Sequence, residues 1–346
     1  MIRVLIVEDS VTQREILKRL VNGDGAFTVI AEARNGREAI AKVLENPPDV
    51  VLMDIHMPDM DGIEATRQIM RQCPVPIVVA SATLQKQDVN LALQALEAGA
   101  VSVISKPQGA VLLHLDKIAP SLRNELLAAS TAKIRRHDAP ALRRTVPPLP
   151  VQSSRTQPID IIGVCASTGG PPVLMQIFAA IPKPVPVPIL LVQHISEGFE
   201  EGFARWLSDT TGQSVRLATS EQRLAPGIWM APNGTHLTVS SPTRISLIPK
   251  NPKDIHSPSG NPQFQSLATH FGPRAAGVLL TGMGDDGAQG LLTLRLAGGT
   301  TIIQDEASCM IWGMPKSGKL LNAATQELNP ADIAVTLTHM LQRKMK

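Results

Sequence analysis

Val50-Val-Leu-Met-Asp54-Ile-His-Met-Pro58-Asp-Met-Asp-Gly62 is an apolar run that ends on a carboxylate, with Pro and Gly closing the turn behind it. It predicts a buried strand whose carboxyl end delivers Asp54 to a surface crevice. On one side, Val4-Leu-Ile-Val7 is a second such strand and ends on Glu8-Asp9. On the other, Ile77-Val-Val-Ala80 is followed by Ser81, and Val101 to Ile104 leads to Lys106-Pro107. Three carboxylates at adjacent strand ends repel one another unless a hard cation sits among them. Mg²⁺, which prefers oxygen ligands, is the natural ion for Glu8, Asp9 and Asp54. A metal, a cation and a hydroxyl around one carboxylate make a phosphoryl acceptor. Apolar sets at helical spacing separate the strands, at Ile16/Leu17/Leu20/Val21, Ala39/Ile40/Val43/Leu44 and Val89/Leu93/Leu96. Short strands alternating with helices predict a parallel, doubly wound sheet. A single one of these acids reads most simply as a solvated loop carboxylate. The whole ordered set does not.

This set resembles the receiver domain of two-component response regulators, over roughly the first 120 residues. The resemblance implies a flavodoxin-like, five-stranded parallel sheet and makes Asp54 the phosphoryl acceptor. Glu8 and Asp9 would help to hold Mg²⁺, and Ser81 and Lys106 would contact the phosphoryl oxygens. Receivers usually carry an aromatic residue three positions before the Lys. Here that position is Val103, and the chain has no Tyr.

A chain of 346 residues has room for two ordinary domains. Hydrophobic content of 43% with 28 Pro and 25 Gly fits α/β structure with many strand-to-helix turns. No apolar run approaches the ~20 residues of a bilayer span, and MIRVLIVEDS lacks a signal-peptide layout. The three cysteines, Cys73, Cys165 and Cys309, form neither a disulfide framework nor a zinc pattern, which points to a reducing cytoplasm. The net charge is +3, and the basic excess lies in 126–157, with six Lys/Arg against one Asp/Glu. That stretch also holds Thr145-Val-Pro-Pro-Leu-Pro150 and reads as a linker. Neither flanking part shows the basic face of a nucleic-acid reader. The expected division is therefore a receiver over 1–125, a basic Pro-containing linker over 126–157 and a second domain over 158–346. A monomer is the default expectation.

The second domain again reads as a doubly wound, mostly parallel α/β sheet. Strand-like runs lie at Ile159–Ala166, Ile189–Gln193, Gly227–Met230, Leu237–Ser240, Ala276–Thr281 and Thr300–Gln304. Three run ends carry chemistry. The first ends at Ser167-Thr-Gly-Gly-Pro171, the second at His194, and the fifth at Gly282-Met-Gly-Asp-Asp286-Gly. In an open α/β sheet the crevice lies outside the carboxyl ends of the strands, where Ser, His and Asp can converge. A hydroxyl needs a base to take its proton, and an imidazole needs a carboxylate to fix its tautomer. Taken singly, Ser167-Thr-Gly-Gly could equally cradle a phosphate on helix N-terminal amides. His194 alone reads more simply as a packed histidine, and Asp285-Asp286 as a turn with a helix cap. His236, His256 and His270 are scattered without ligand spacing and read as structural.

Together, Ala166-Ser167-Thr-Gly-Gly-Pro, Val192-Gln-His194, Ala231-Pro232, Leu280-Thr-Gly-Met-Gly-Asp-Asp286-Gly-Ala and Gln304-Asp-Glu-Ala-Ser-Cys309 resemble the catalytic domain of the CheB chemotaxis methylesterase family. The likeness runs from about 158 to 345. It implies a response regulator that hydrolyses γ-glutamyl methyl esters on methyl-accepting chemoreceptors and deamidates receptor glutamines, with a chemotaxis-type histidine kinase as phosphodonor. Ser167 would be the nucleophile, His194 the general base and then acid, and Asp286 the residue that orients His194. The backbone N–H of Met283 would receive the oxyanion, supported by Thr168. No cofactor is implied for the hydrolysis itself. The unphosphorylated receiver would cover the active site, so fragment 158–346 is expected to be more active than the unphosphorylated whole chain. Two departures stand out: Asp285 where the family often has Asn, and Ser257-Pro-Ser-Gly-Asn-Pro-Gln-Phe264 where a more apolar loop is usual. The main rival is a non-catalytic response regulator that binds receptors or kinase.

Overall fold

The computed structural model describes residues 1–23, 25–81, 86–106, 115–134 and 158–345, and divides into two compact units. In the N-terminal unit strands and helices alternate: β1 (Ile2–Val7), α1 (Val11–Asn22), β2 (Phe27–Ala33), α2 (Gly36–Glu45), β3 (Val50–Asp54), α3 (Gly62–Gln72), β4 (Ile77–Ser81), α4 (Lys86–Glu97), β5 (Ser102–Ser105) and α5 (Leu115–Ser130). The five strands form one parallel sheet in the order β2-β1-β3-β4-β5. Every residue of β3 is buried, as its unbroken apolar run requires when helices cover both sheet faces. Helices α1 to α3 start on side-chain caps: Ser10 accepts from Gln13 N, Asn35 from Glu38 N and Asp61 from Glu64 N. Leu44, placed by spacing on the apolar stripe of α2, is 50% exposed and lies off it.

α5 runs to Ser130, past the 125/126 boundary expected from composition, with Leu122, Leu126, Ala128 and Ala129 buried. Residues 135–157, most of the expected linker, lie outside the described residues.

Gly62 shows how tightly β3 and α3 are joined. A Cβ there would lie 1.9 Å from the backbone oxygen of Asp54, while Gly62 N donates to Ile55 O at 2.9 Å. Gly62→Ala should therefore push the β3 end and α3 apart. We expect it to destabilise the protein by about 1–3 kcal/mol, the usual cost of overpacking. Urea titration followed by far-UV circular dichroism measures this, and an unchanged midpoint would contradict the close approach.

After α5 the chain forms β6 (Ile161–Ala166), α6 (Gly170–Ala180), β7 (Pro188–Gln193), α7 (Glu200–Thr211), β8 (Val215–Leu217), β9 (Gly227–Met230), β10 (Thr235–Ser241), β11 (Arg244–Pro249), α8 (Gly260–His270), β12 (Ala275–Leu279), α9 (Ala288–Leu296), β13 (Thr300–Gln304), α10 (Met314–Leu320), β14 (Gln326–Leu328) and α11 (Pro330–Met345). Seven strands pair in parallel in the order β14-β13-β12-β6-β7-β9-β8. From β6 the chain first builds outward through β7 and then returns to the other side at β12. That reversal is a topological switch point, where a crevice opens at the strand ends.

Two details differ from the sequence reading. Leu237–Ser240 belongs to β10, which pairs antiparallel with β11 in a separate two-stranded sheet. Its buried Leu237 and Val239 join Phe264 and Leu267 of α8 in the core. Strands β8 and β14 have three residues each, too few for a periodic signal. Phe264 is fully buried, a burial that contributes about 1.5–3 kcal/mol.

Candidate active site and phosphoryl-acceptor site

At the carboxyl edge of the N-terminal sheet, Glu8 and Asp54 are buried and Asp9 is exposed. Their candidate ligand oxygens all lie within 4.8 Å of one another. Lys106 Nζ stands 2.6 Å from Asp54 Oδ2 and 2.7 Å from Glu8 Oε2. Arg14, not singled out from sequence, holds the acidic turn in place. Its buried guanidinium donates to Glu8 O at 2.6 Å and pairs with Glu32 at 3.1 Å. Burial pushes the Glu8 carboxyl up. The Lys106 hydrogen bond and charge oppose this, the Asp54 charge adds to it, the Ser10 N–H opposes it, and the net direction is upward. Two buried carboxylates share one ammonium, so a divalent cation would relieve the remaining penalty, and three convergent hard oxygens fit Mg²⁺. Ser81 Oγ is buried and has no hydrogen-bond partner among the described residues, which leaves its proton free for an acceptor oxygen.

In the C-terminal unit, β6 lies between β7 and β12. Ala166 pairs with Gln193, so Ser167 and His194 leave adjacent strands at the same level. Gln193 ties them together, its buried Nε2 donating to Ser167 O at 3.0 Å and His194 O at 2.8 Å. On the other side, Ser167 N donates to Thr281 O at 3.0 Å. Gly169 then turns the chain into α6 with φ at 77°, and a Cβ there would lie 2.6 Å from Met310 Cβ. Both the left-handed backbone and the close approach require glycine.

His194 Nε2 lies 2.9 Å from Asp286 Oδ2, and His194 Nδ1 is buried without a hydrogen-bond partner. Among the described residues no hydrogen bond joins Ser167 Oγ to His194. Asp286 also accepts from Ser259 Oγ at 2.5 Å, Gly260 N at 2.8 Å and Asn261 Nδ2 at 3.2 Å. Burial pushes its carboxyl up, but the hydrogen bond and charge of His194, with Ser259 and Gly260, outweigh burial and hold it well below the usual carboxylate range. Asp286 does not cap α9, whose N-cap is Gly287 without a side-chain bond. It binds the amino end of α8 instead, where the helix dipole favours negative charge.

The Ser257–Phe264 stretch therefore supports Asp286: Ser259, Gly260 and Asn261 all bond to it, and Asn261 Oδ1 also accepts from Gly290 N at 2.8 Å. Ser259 as N-cap of α8 is a sequence signal that was available. His256, read as structural, stacks on His194 with ring centroids 4.6 Å apart and 5° between planes. The loop carrying Met283 is braced by Gln304 Oε1, which accepts from Thr281 N at 2.9 Å, and by Thr281 Oγ1, which donates to Thr168 O at 3.1 Å. Gly313 and Met314 N donate to Gly282 O. Met283 itself is 36% exposed at the rim, Thr168 is buried, and Asp285 is exposed. Cys165 Sγ lies 3.9 Å from Asp286 Oδ2; burial, then the Asp286 charge, push its thiol well above the usual range, so it stays protonated and a poor nucleophile.

Residues 162–337 match the family model described as CheB methylesterase, and residues 4–116 match the response regulator receiver domain. The chain belongs to the CheB methylesterase family. Relatives of this CheB-family chain include protein-glutamate methylesterase/protein-glutamine glutaminase 2 of Methanospirillum hungatei, 38% identical over 99% of both chains. Protein-glutamate methylesterase/protein-glutamine glutaminase 4 of Geobacter metallireducens is 40% identical over 99% of this chain and all of the relative. The crystal structure of the Thermotoga maritima CheB methylesterase catalytic domain is 30% identical, with a TM-score of 0.51, and covers 53% of this CheB-family chain and 98% of that one. Among the described residues no helix is long and apolar enough to cross a membrane.

Proposed function

We propose that this chain is a serine hydrolase that demethylates γ-glutamyl methyl esters and deamidates glutamines on methyl-accepting chemoreceptors, in the cytoplasm and under control of phosphorylation at Asp54. The carrying observation is the His194–Asp286 pair, with one ring nitrogen held by a buried carboxylate and the other left without a partner beside the Ser167 turn. In this reading the receiver, expected over 1–125, extends through α5 to Ser130, the rest of the stretch up to 157 is the linker, and 158–346 are the catalytic domain.

Ser167 Oγ attacks the ester carbon while His194 Nδ1 takes its proton. The negative charge that builds on the carbonyl oxygen falls to the backbone N–H of Met283, with Thr168 in support. Asp286 keeps the proton on His194 Nε2 and balances the imidazolium. His194 then returns its proton to the departing methoxide, releasing methanol and leaving a glutamyl-Ser167 ester. Water, deprotonated by His194, hydrolyses that ester to free glutamate. With glutamine the same sequence releases ammonia.

In the receiver, Glu8, Asp9 and Asp54 would hold Mg²⁺, which when bound supplies charge neutralisation for phosphoryl transfer. Asp54 takes the phosphoryl group from a chemotaxis-type histidine kinase, and Lys106 and Ser81 contact its oxygens. Because the phosphate adds charge and strong acceptors at these loops, it biases a two-state equilibrium that the hydrolytic domain reads.

The test is methanol release from methylated chemoreceptor membranes by the intact protein, with Mg²⁺ and with or without acetyl phosphate. We expect the phosphodonor to raise the rate about tenfold, within the usual range of coupling between sites. Asp54→Asn should lose that response and keep the basal rate. Absence of methanol release under every condition would move the protein to the non-catalytic regulators. A response retained in Asp54→Asn would remove Asp54 as acceptor.

A further inference from the structure

We infer that His256 is a positioning residue: its ring face fixes the plane of the His194 imidazole and so aims Nδ1 at Ser167. The inference rests on the hydrolase reading above. The hydrogen bond from His194 Nε2 to Asp286 holds the ring at one point only. A ring pinned at one edge can still turn about that contact, and turning carries Nδ1 away from the nucleophile. The stacked ring of His256, 4.6 Å away and 5° from parallel, removes this freedom.

The same geometry excludes a chemical role in proton transfer. Lone pairs and N–H bonds of an imidazole lie in the ring plane, so two rings stacked face to face cannot pass a proton between their nitrogens. His256 therefore acts through its face. It also stays neutral: burial, then the His194 charge, lower its pKa, against weaker opposition from Asp286 and Asp285 on the loop after β12. A neutral face tolerates the imidazolium that forms on His194, where a charged one would repel it.

A latch on the hairpin holds His256 in place. His236 on β10 is buried, and its Nε2 lies 2.9 Å from Asp254 Oδ2, two residues before His256. Asp254 also accepts from Asn251 N at 2.6 Å, which closes the 251–254 turn. The hairpin thus reaches His194 through Asp254 and His256.

The test compares His256→Ala, His256→Phe and Asp254→Ala with the parent full-length chain in the methanol-release assay, alongside thermal melts and with Ser167→Ala as reference. His256→Ala should lower kcat by about 10- to 100-fold with KM unchanged, the scale expected for a misaimed catalytic group. His256→Phe keeps a flat ring and should restore kcat. Asp254→Ala should lower kcat in the same direction and add nothing in the His256→Ala background. Parent kcat in folded His256→Ala overturns the inference. Loss in His256→Phe equal to that in His256→Ala also overturns it, because the nitrogens rather than the face would then matter. Parent turnover in Ser167→Ala would instead overturn the hydrolase reading beneath it.

Discussion

Replacing Ser167 with alanine should lower kcat for methyl-ester hydrolysis by on the order of 10⁶-fold while the melting temperature stays at the parent value. The size follows from the chemistry. Without the hydroxyl there is no acyl enzyme, and His194 and Asp286 have no proton to move. The unchanged stability follows from the structure. Ser167 Oγ makes no hydrogen bond among the described residues, so its removal leaves no buried group unpaired. The backbone bonds of the turn, Ser167 N to Thr281 O and Gly170 N to Ser167 O, do not involve the side chain. Adding His194→Ala should lower kcat no further, because members of one catalytic unit are not additive. Turnover within tenfold of the parent would remove Ser167 as the nucleophile, and a large drop in melting temperature would contradict its free hydroxyl.

Asp286→Asn should lower kcat by about 10⁴-fold and, unlike the serine change, also destabilise the protein, by about 1–3 kcal/mol. The carboxylate accepts from four N–H and O–H donors, besides the Cys165 thiol: His194 Nε2 and Gly260 N on Oδ2, Ser259 Oγ and Asn261 Nδ2 on Oδ1. Whichever way the amide turns, its NH₂ faces two of them. Turned toward His194, it forces the wrong tautomer. Turned away, it keeps the tautomer but removes the charge that balances the imidazolium. The parent carboxyl lies well below its ordinary value, so its contribution to stability is complete above about pH 4 and is lost only as pH falls through the depressed value. The variant lacks that contribution at every pH. Steady-state kinetics with denaturant melts separate the two effects. Full kcat per folded molecule would remove Asp286 from the catalytic unit.

Much of this was legible because polar residues close apolar strands. Asp54, Glu8, Lys106, Ser167 and His194 each follow a run that must be buried, so each has to emerge at a sheet edge. The parallel sheets and the order of the helices followed from the same runs. Asp286 was legible as a candidate site residue, but its partners were not. Ser259, Gly260 and Asn261 come from a helix start 25–27 residues earlier, and what joins them is the packing of α8 beside α9, which no local pattern encodes. The stacking of His256 on His194 was not legible for the same reason, since a stacked pair leaves no spacing to read. Leu237–Ser240 was seen as a strand but not as half of a hairpin. Its partner, Arg244–Pro249, carries too few buried residues to register as a run. In α5 the exposed charges after Ala128 suggested a linker, while the buried Ala128 and Ala129 show that the helix still has a face to cover.

The direction in which His194 is used has a consequence for chemical recognition. In the familiar serine-protease arrangement the carboxylate holds the ring nitrogen nearer the backbone, and the outer nitrogen serves the serine. Here the outer nitrogen, Nε2, is occupied by Asp286, and the inner one is open. The acid therefore sits beyond the tip of the side chain, and the open nitrogen is the inner one, nearer the end of β7. An affinity label shaped for the usual orientation would approach a nitrogen that is already engaged. A label aimed at His194 has to reach the inner nitrogen instead.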